Sequence, residues 1–96
     1  MKTLQFTPLA LNDLEGILHY ISQERPKTAR DVLARIRETC EQVRANPKIG
    51  QGRRGIRDSV RMTTIQRWVV FYRECDASVE ILRVLDGARD VDTLLD

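Results

Sequence analysis

The chain has 96 residues, of which 42% are hydrophobic and 31% are charged, and a chain of this length closes a single hydrophobic core, which excludes a second domain. The longest apolar run, at residues 68–72, is far shorter than the roughly 20 residues that cross a bilayer, and acids interrupt the N-terminal stretch that a signal peptide needs to be apolar. The net charge of +2 conceals a basic middle and an acidic C-terminal end, and we expect one domain, residues 1–96, that stays in the cytoplasm without membrane contact.

The N-terminal half predicts a short strand followed by a helical hairpin. The strand is "LQF" at residues 4–6, and Thr7 followed by Pro8 marks a helix start, because threonine caps free amide groups and proline suits the first turn. "QERP" interrupts the helical pattern, and a second helix runs from Pro26 to the "NP" at residues 46–47. The apolar stripe of the first helix consists of Ala10, Leu14, Ile17 and Ile21 and is widened by Leu11 and Leu18.

The polar residues of the second helix are expected on its solvated face. Acids four residues away compensate its arginines there, as Asp31 does for Arg35. The arginines placed on this face are Arg30, Arg35, Arg37 and Arg44.

Charge is concentrated in the middle of the chain. Residues 44–73 carry eight arginines and lysines against one acid, Asp58, whereas residues 74–96 have a net charge of −5. The basic middle predicts an anionic partner. The alternative is a solvated basic surface that the acidic C-terminal segment, folded beside it, partly neutralises.

The second half of the chain predicts a loop and three strands. "NPKIGQGRRGIRD" reads as a loop, and "SVRMTTI", "RWVVFYREC" and "SVEILRVLD" are rich in β-branched and aromatic residues with short polar breaks between them. They predict an antiparallel meander. The element order is therefore β-α-α-β-β-β, and the fold class is α+β, with a helical hairpin packed on a mainly antiparallel sheet.

The last strand ends at Gly87 in a cluster of opposed charges. Both alternating sets of its side chains are apolar, as in a central strand, so alternation does not assign its faces. Arg83 must reach solvent or an acid, because an unpaired charge in the core costs several kcal/mol. We expect ion pairs among Arg83, Asp86, Arg89 and Asp90 that fix the C-terminal tail.

The two cysteines, Cys40 and Cys75, have neither the spacing of metal ligands nor the density of a disulfide framework. We expect both to be reduced and structural, and we expect no metal and no cofactor.

Several segments together resemble a known family. The "NPKIG" loop, "VVFYR" at residues 69–73 and "VEILRVLDGARD" at residues 79–90 resemble the ParE branch of the RelE/ParE toxin superfamily of bacterial toxin–antitoxin operons. The family commonly has histidine where this chain has Asp86. The resemblance implies a toxin that a co-expressed ParD-like antitoxin neutralises and that poisons DNA gyrase, with DNA contact only through the antitoxin. The RelE branch instead cleaves messenger RNA on the ribosome.

The residues favour binding over RNA cleavage. Cleavage through the 2′-hydroxyl needs a base, an acid and cations, and arginine is a poor base. The single histidine, His19, lies on the first helix, and the tail lacks the tyrosine or histidine that RelE-like nucleases carry. A ribosome-dependent endonuclease with Asp58 or Asp86 as its base remains the alternative, and a structural adaptor is a third possibility.

The resemblance and the charge pattern give two sets of site residues and no catalytic or metal-binding ones. The expected target-binding residues are Arg61, Arg83, Asp86, Arg89 and Asp90. The expected antitoxin-binding residues are Leu14, Leu18, Arg53, Arg54, Arg57, Trp68 and Tyr72. For the aromatic residues of this set, packing in the core is the alternative.

Overall fold

The structure is a computed structural model and describes residues 1–52 and 60–87. The predicted order β-α-α-β-β-β is confirmed, with the addition of a 3₁₀ turn and a two-residue strand inside the segment that was expected to be a loop. In chain order the elements are β1 Thr3–Phe6, α1 Pro8–Ser22, α2 Pro26–Ala45, the 3₁₀ turn Pro47–Ile49, β2 Gln51–Gly52, β3 Val60–Ile65, β4 Trp68–Glu74 and β5 Ser78–Asp86.

The five strands form one mixed sheet in the order β1-β5-β4-β3-β2. The antiparallel meander of β3, β4 and β5 is confirmed, and β2 adds to β3 in the same sense. β1 pairs in parallel with β5, from Thr3 opposite Ser78 to Phe6 opposite Ile81. β5 therefore has a neighbour on both sides along this stretch, which is the interior position that its apolar sequence predicts.

Thr7 joins the start of α1 to the sheet. Its hydroxyl accepts a hydrogen bond from the Ala10 amide at 3.0 Å, as expected of a helix cap, and donates one to the Leu82 carbonyl at 2.8 Å. Its own amide donates to the Ile81 carbonyl at 3.0 Å. These bonds therefore fix the start of α1 against β5.

The helical hairpin covers one face of the sheet. The main core lies between them and consists of Ala10, Ile17, Val32, Ile36, Cys40, Val43, Trp68, Val70, Tyr72, Val79, Ile81 and Val84. Burial of each larger aliphatic or aromatic side chain contributes about 1.5–3 kcal/mol. The other face carries a smaller cluster of strand residues, Val60, Val69, Phe71 and Leu85, with Met62 and Leu82 packed against it.

A β-bulge in β5 explains why its sequence did not alternate. Phe71 of β4 lies opposite Arg83, whereas the next residue, Tyr72, lies opposite Ile81, so that Leu82 is an extra residue in β5. The insertion shifts the alternation by one position. The residues of β5 in the helix-side core are Val79, Ile81 and Val84, and those in the cluster on the other face are Leu82 and Leu85.

Neither helix in the described part of the chain has the length and apolar character required to cross a membrane.

Candidate functional site

A groove of about 480 Å³ lies between α1 and α2, and we call it the hairpin groove. Leu11 and Leu14 both line this groove. Leu14 is half-buried, and Leu11 is 51% exposed. Leu18, one helical turn beyond Leu14, is 38% exposed. The leucines that widen the apolar stripe of α1 are therefore surface residues. The groove is lined by Phe6, Leu11, Leu14, Arg30, Leu33, Ala34, Ile36, Arg37 and Cys40.

Two arginines of α2 line the same groove. Arg30 and Arg37 are seven residues apart, and Leu33 and Ala34 lie between them on the same face of the helix. Neither arginine forms an ion pair with any other side chain of residues 1–52 or 60–87. The sequence alone placed them on a solvated helix face. Their spacing around two apolar residues is the signal that would have identified them as groove residues.

The prediction that Asp31 compensates the charge of Arg35 is wrong. These side chains form no ion pair within 4 Å in the described part of the chain. Both are exposed, and exposed pairs on a helix contribute little, so no force holds them together against solvent and side-chain entropy.

Two residues of the expected antitoxin-binding set are core residues. Tyr72 is fully buried and Trp68 is 8% exposed, and both belong to the core under the helices. Neither offers surface to a partner in this conformation, so their assignment as direct antitoxin contacts is corrected to core packing. The remaining members, Arg53, Arg54 and Arg57, lie outside the described residues.

The buried hydroxyl of Tyr72 fastens the segment that follows α2. It donates a hydrogen bond to the Pro47 carbonyl at 2.6 Å and accepts one from the Gly50 amide at 2.9 Å. Burial raises the pKa of the Tyr72 phenol, and the bond from Gly50 opposes this effect. Position 50 needs glycine, because an added Cβ would collide with the Tyr72 hydroxyl. Arg61 secures the same turn by donating to the Gly50 carbonyl at 3.0 Å.

Arg83 finds its acid on the first helix. Its Nε and Nη2 donate to the two carboxylate oxygens of Asp13 at 2.8 and 2.9 Å. Asp13 also accepts a hydrogen bond from the Val84 amide at 3.0 Å. The expectation that Arg83 reaches an acid is confirmed, and this acid, Asp13, is on α1. The sequence carried no signal for this partner.

Asp86 is held at the end of the sheet by Arg67. The carboxylate is buried and forms an ion pair with the Arg67 guanidinium, which also lies 5.3 Å from the centroid of the Trp68 ring. The Gly87 amide donates to the Arg67 carbonyl at 2.8 Å, and a Cβ at this glycine would lie 3.1 Å from that oxygen. The expected partners Arg89 and Asp90 lie outside the described residues.

The basic middle of the chain is partly neutralised within the molecule. Arg73 pairs with Glu80 at 2.6 Å across β4 and β5, and Arg67 pairs with Asp86. Arg44 pairs with Glu41 at 2.8 Å. Two of these three acids belong to the C-terminal segment, so the observed pairs support the alternative of an internally compensated surface.

The described residues offer little for catalysis. His19 is exposed on α1, where its ring contacts the Gln23 amide at 3.1 Å. Burial raises the pKa of Cys40 to about 12, which keeps this thiol protonated and unreactive at neutral pH. No group of three His, Cys, Asp or Glu in residues 1–52 and 60–87 is arranged to hold a metal ion. Of the two carboxylates considered as bases, Asp86 is buried and paired, and Asp58 lies outside the described residues.

Comparisons with known proteins agree with this architecture. A solved structure described as the chromosomal ParDE TA system from P. aeruginosa is similar to this chain with a TM-score of 0.73 and 26% sequence identity, covering 88% of this chain and 94% of the other. Toxin ParE3 of Caulobacter vibrioides is 36% identical over 76 residues, which is 78% of this chain and 76% of the relative.

The fold and the sequence similarity to these relatives together identify the class of this chain as a toxin of a type II toxin–antitoxin system. The model of the family described as "ParE toxin of type II toxin-antitoxin system, parDE" matches residues 4–91. The chain belongs to this ParE toxin family.

Proposed function

We propose that this toxin acts in the cytoplasm as a single domain, residues 1–96, by binding DNA gyrase and blocking replication, without catalysing a reaction itself. Gyrase inhibition is the general role of ParE toxins, to which the chain belongs. The proposal that the toxin is not an enzyme is supported by the burial of Asp86. This candidate base forms an ion pair with Arg67. A base must reach the proton that it removes, and a buried, paired carboxylate does not.

The target-binding surface is proposed at the end of β5. Arg83 and Asp86 lie there, and each is tied to another element, to α1 through Asp13 and to the turn before β4 through Arg67. We infer that they position the segment that carries Arg89 and Asp90 and that Arg89 contacts the target. Arg61, the remaining member of the proposed set, lies on β3 away from this end of β5, and its guanidinium binds the Gly50 carbonyl.

The test compares two targets with the same protein preparation. Purified toxin is added to a supercoiling assay with gyrase and to a ribosome-dependent assay of mRNA cleavage. We expect loss of supercoiling or trapped gyrase–DNA cleavage complexes, with intact mRNA. Cleaved mRNA at the toxin concentration that leaves gyrase unaffected would contradict the proposal and favour the endonuclease.

The variant Arg89→Ala distinguishes a target contact of Arg89 from a role in folding, by measurements of thermal melting, antitoxin binding and growth inhibition. It is expected to keep the wild-type melting temperature and antitoxin binding and to lose growth inhibition. A variant lacking residues 91–96 serves as a second probe of the tail. Full toxicity of folded Arg89→Ala would remove this arginine from the target contact.

The partner that neutralises the toxin is proposed to be a ParD-like antitoxin. The complex contacts DNA only through the DNA-binding part of the antitoxin, and a disordered segment of the antitoxin folds onto the toxin. The hairpin groove, with Leu14 in its wall and Leu18 one turn away, is an apolar surface suited to such a segment.

The basic residues Arg53, Arg54 and Arg57 are proposed to accelerate association with that antitoxin. Charges at the rim of an interface steer encounter and are screened by salt. Arg53→Glu together with Arg54→Glu should therefore slow association at low salt and weaken its salt dependence. An unchanged association rate at low salt would remove these arginines from the interface.

A further inference from the structure

We propose that Arg30 and Arg37 select the occupant of the hairpin groove: a helical segment of the antitoxin with one apolar face and two carboxylates about seven residues apart. This proposal rests on the proposed function, because it specifies the chemistry of the partner at that same surface. It adds selection by α2 to the steering of association that is proposed for Arg53, Arg54 and Arg57.

The walls of the groove set the first requirement. Leu11 and Leu14 of α1 face Leu33 and Ala34 of α2 across it, with Phe6, Ile36 and Cys40 also in its lining. Leu11 is 51% exposed, so this apolar surface is accessible in the free chain. Its occupant must supply an apolar face, since burial of such surface contributes about 25 cal/mol per Å².

The two arginines set the second requirement. An occupant of the groove removes water from the guanidinium groups of Arg30 and Arg37, and an unpaired charge that loses its water is strongly disfavoured. Neither arginine has an acidic partner among the described residues. The occupant must therefore bring carboxylates, and a segment that lacks them is rejected.

Three arginines of the basic middle segment are less suited to this task. Arg44 and Arg73 already hold Glu41 and Glu80 at 2.8 and 2.6 Å, and Arg67 holds Asp86. An incoming acid would have to compete with these internal partners. Arg30 and Arg37 have no such competitor within residues 1–52 and 60–87, which makes them the better recognition elements.

The spacing of the arginines sets the spacing of the acids in the occupant. Seven residues of helix rise about 10.5 Å. A helix that lies along the groove between two antiparallel helices matches this distance with acids at positions i and i+7. An extended segment would need acids about three residues apart, because a strand rises about 3.4 Å per residue.

The experiment measures binding to the antitoxin encoded beside the toxin in its operon, with the full-length chains. The variant Arg30→Glu/Arg37→Glu is compared with Lys27→Glu/Arg35→Glu, which makes the same charge change at exposed positions of α2 that do not line the groove. We expect the groove variant to raise the dissociation constant about 100-fold, mainly through faster dissociation, and the control to change it less than about threefold. Arg30→Gln/Arg37→Gln, expected to weaken binding about tenfold, replaces the first variant if its melting temperature falls.

A rescue experiment tests the geometry. Each acid of the antitoxin's C-terminal segment is replaced by lysine and combined with Arg30→Glu or Arg37→Glu. We expect one rescuing position for each variant, six to eight residues apart. Rescuing positions three residues apart, or none, would overturn the helical pairing.

The two proposals fail in different ways. If wild-type toxin binds the antitoxin and both groove variants bind equally well, the selection by Arg30 and Arg37 is wrong while the proposed antitoxin partnership stands. If wild-type toxin does not bind the antitoxin at all, the proposed function itself fails.

Discussion

Asp13 and Arg83 connect α1 to β5 through two parallel hydrogen bonds of 2.8 and 2.9 Å. Asp13 also accepts from the Val84 amide at 3.0 Å, beyond the point where β1 ceases to pair with β5. The Asp13 carboxylate thus accepts hydrogen bonds from both the Arg83 guanidinium and the Val84 main-chain amide. This contact sets where the helical hairpin, and with it the hairpin groove, lies on the sheet.

Replacement of Asp13 tests this connection. Asp13→Ala leaves Arg83 and the Val84 amide without this acceptor, and we expect the free energy of unfolding to fall by about 2–3 kcal/mol in urea titrations. Asp13→Asn keeps a side-chain oxygen and should lose about half as much. Glu15→Ala, at an exposed position of the same helix, is the control and should change stability by less than about 0.5 kcal/mol. Equal stability of the Asp13→Ala and Glu15→Ala variants would show that the contact does not support the fold.

Tyr72→Phe tests the fastening of the turn after α2. The change removes the donor to Pro47 and the acceptor for Gly50 in a buried site, which is expected to cost about 1–3 kcal/mol. Tyr20→Phe is the matched control, because Tyr20 is 71% exposed. Thermal melting of the two variants should show a clear loss for the first only. Coincident melting curves would mean that the two hydrogen bonds contribute nothing net.

The pH dependence of stability should report the burial of Cys40. Burial raises the pKa of this thiol from 9.0 to about 12, with nearby Glu41 adding to the increase and Arg37 opposing it. The unfolded thiol loses its proton above pH 9 while the folded one keeps it. The stabilisation is therefore complete below pH 9 and is lost as the pH rises toward 12, at up to about 1.4 kcal/mol per pH unit.

Cys40→Ala isolates this contribution from that of Tyr72, whose raised pKa acts in the same direction. The variant should be less stable at pH 7 because of the cavity, yet its unfolding free energy should fall less steeply between pH 9 and pH 11. Parallel declines for the two proteins would contradict the raised pKa of Cys40.

Gln66 is a suitable position for stabilisation. It starts the two-residue turn between β3 and β4 and has a φ of 56°, in the left-handed region where a Cβ is unfavourable. Gln66→Gly should raise the unfolding free energy by up to about 1 kcal/mol, because the relieved strain exceeds the added chain entropy. Gln66→Ala keeps the Cβ and should give no such gain. A loss of stability with glycine would mean that the glutamine side chain compensates for its backbone.

The sequence by itself determined the elements and their class. Thr7 and Pro8 mark the start of α1 because capping is a local property, and the β-branched run from Ser78 to Asp86 gives β5 with the observed bounds. The motifs at residues 46–50 and 79–90 indicated the ParE family for the same reason, since they are contiguous along the chain.

Only the tertiary structure decided how these elements meet. Asp13 and Arg83 are 70 residues apart in sequence, and no local pattern indicates that they pair. The bulge at Leu82 reverses the faces of β5 through its register with β4, and the burial of Tyr72 follows from the helices that cover it. The hairpin groove likewise exists because two helices pack at a particular offset, which places Arg30 and Arg37 beside the leucines of α1. Contacts between distant segments depend on the packing of the whole chain, so the residues of each segment taken alone do not determine them.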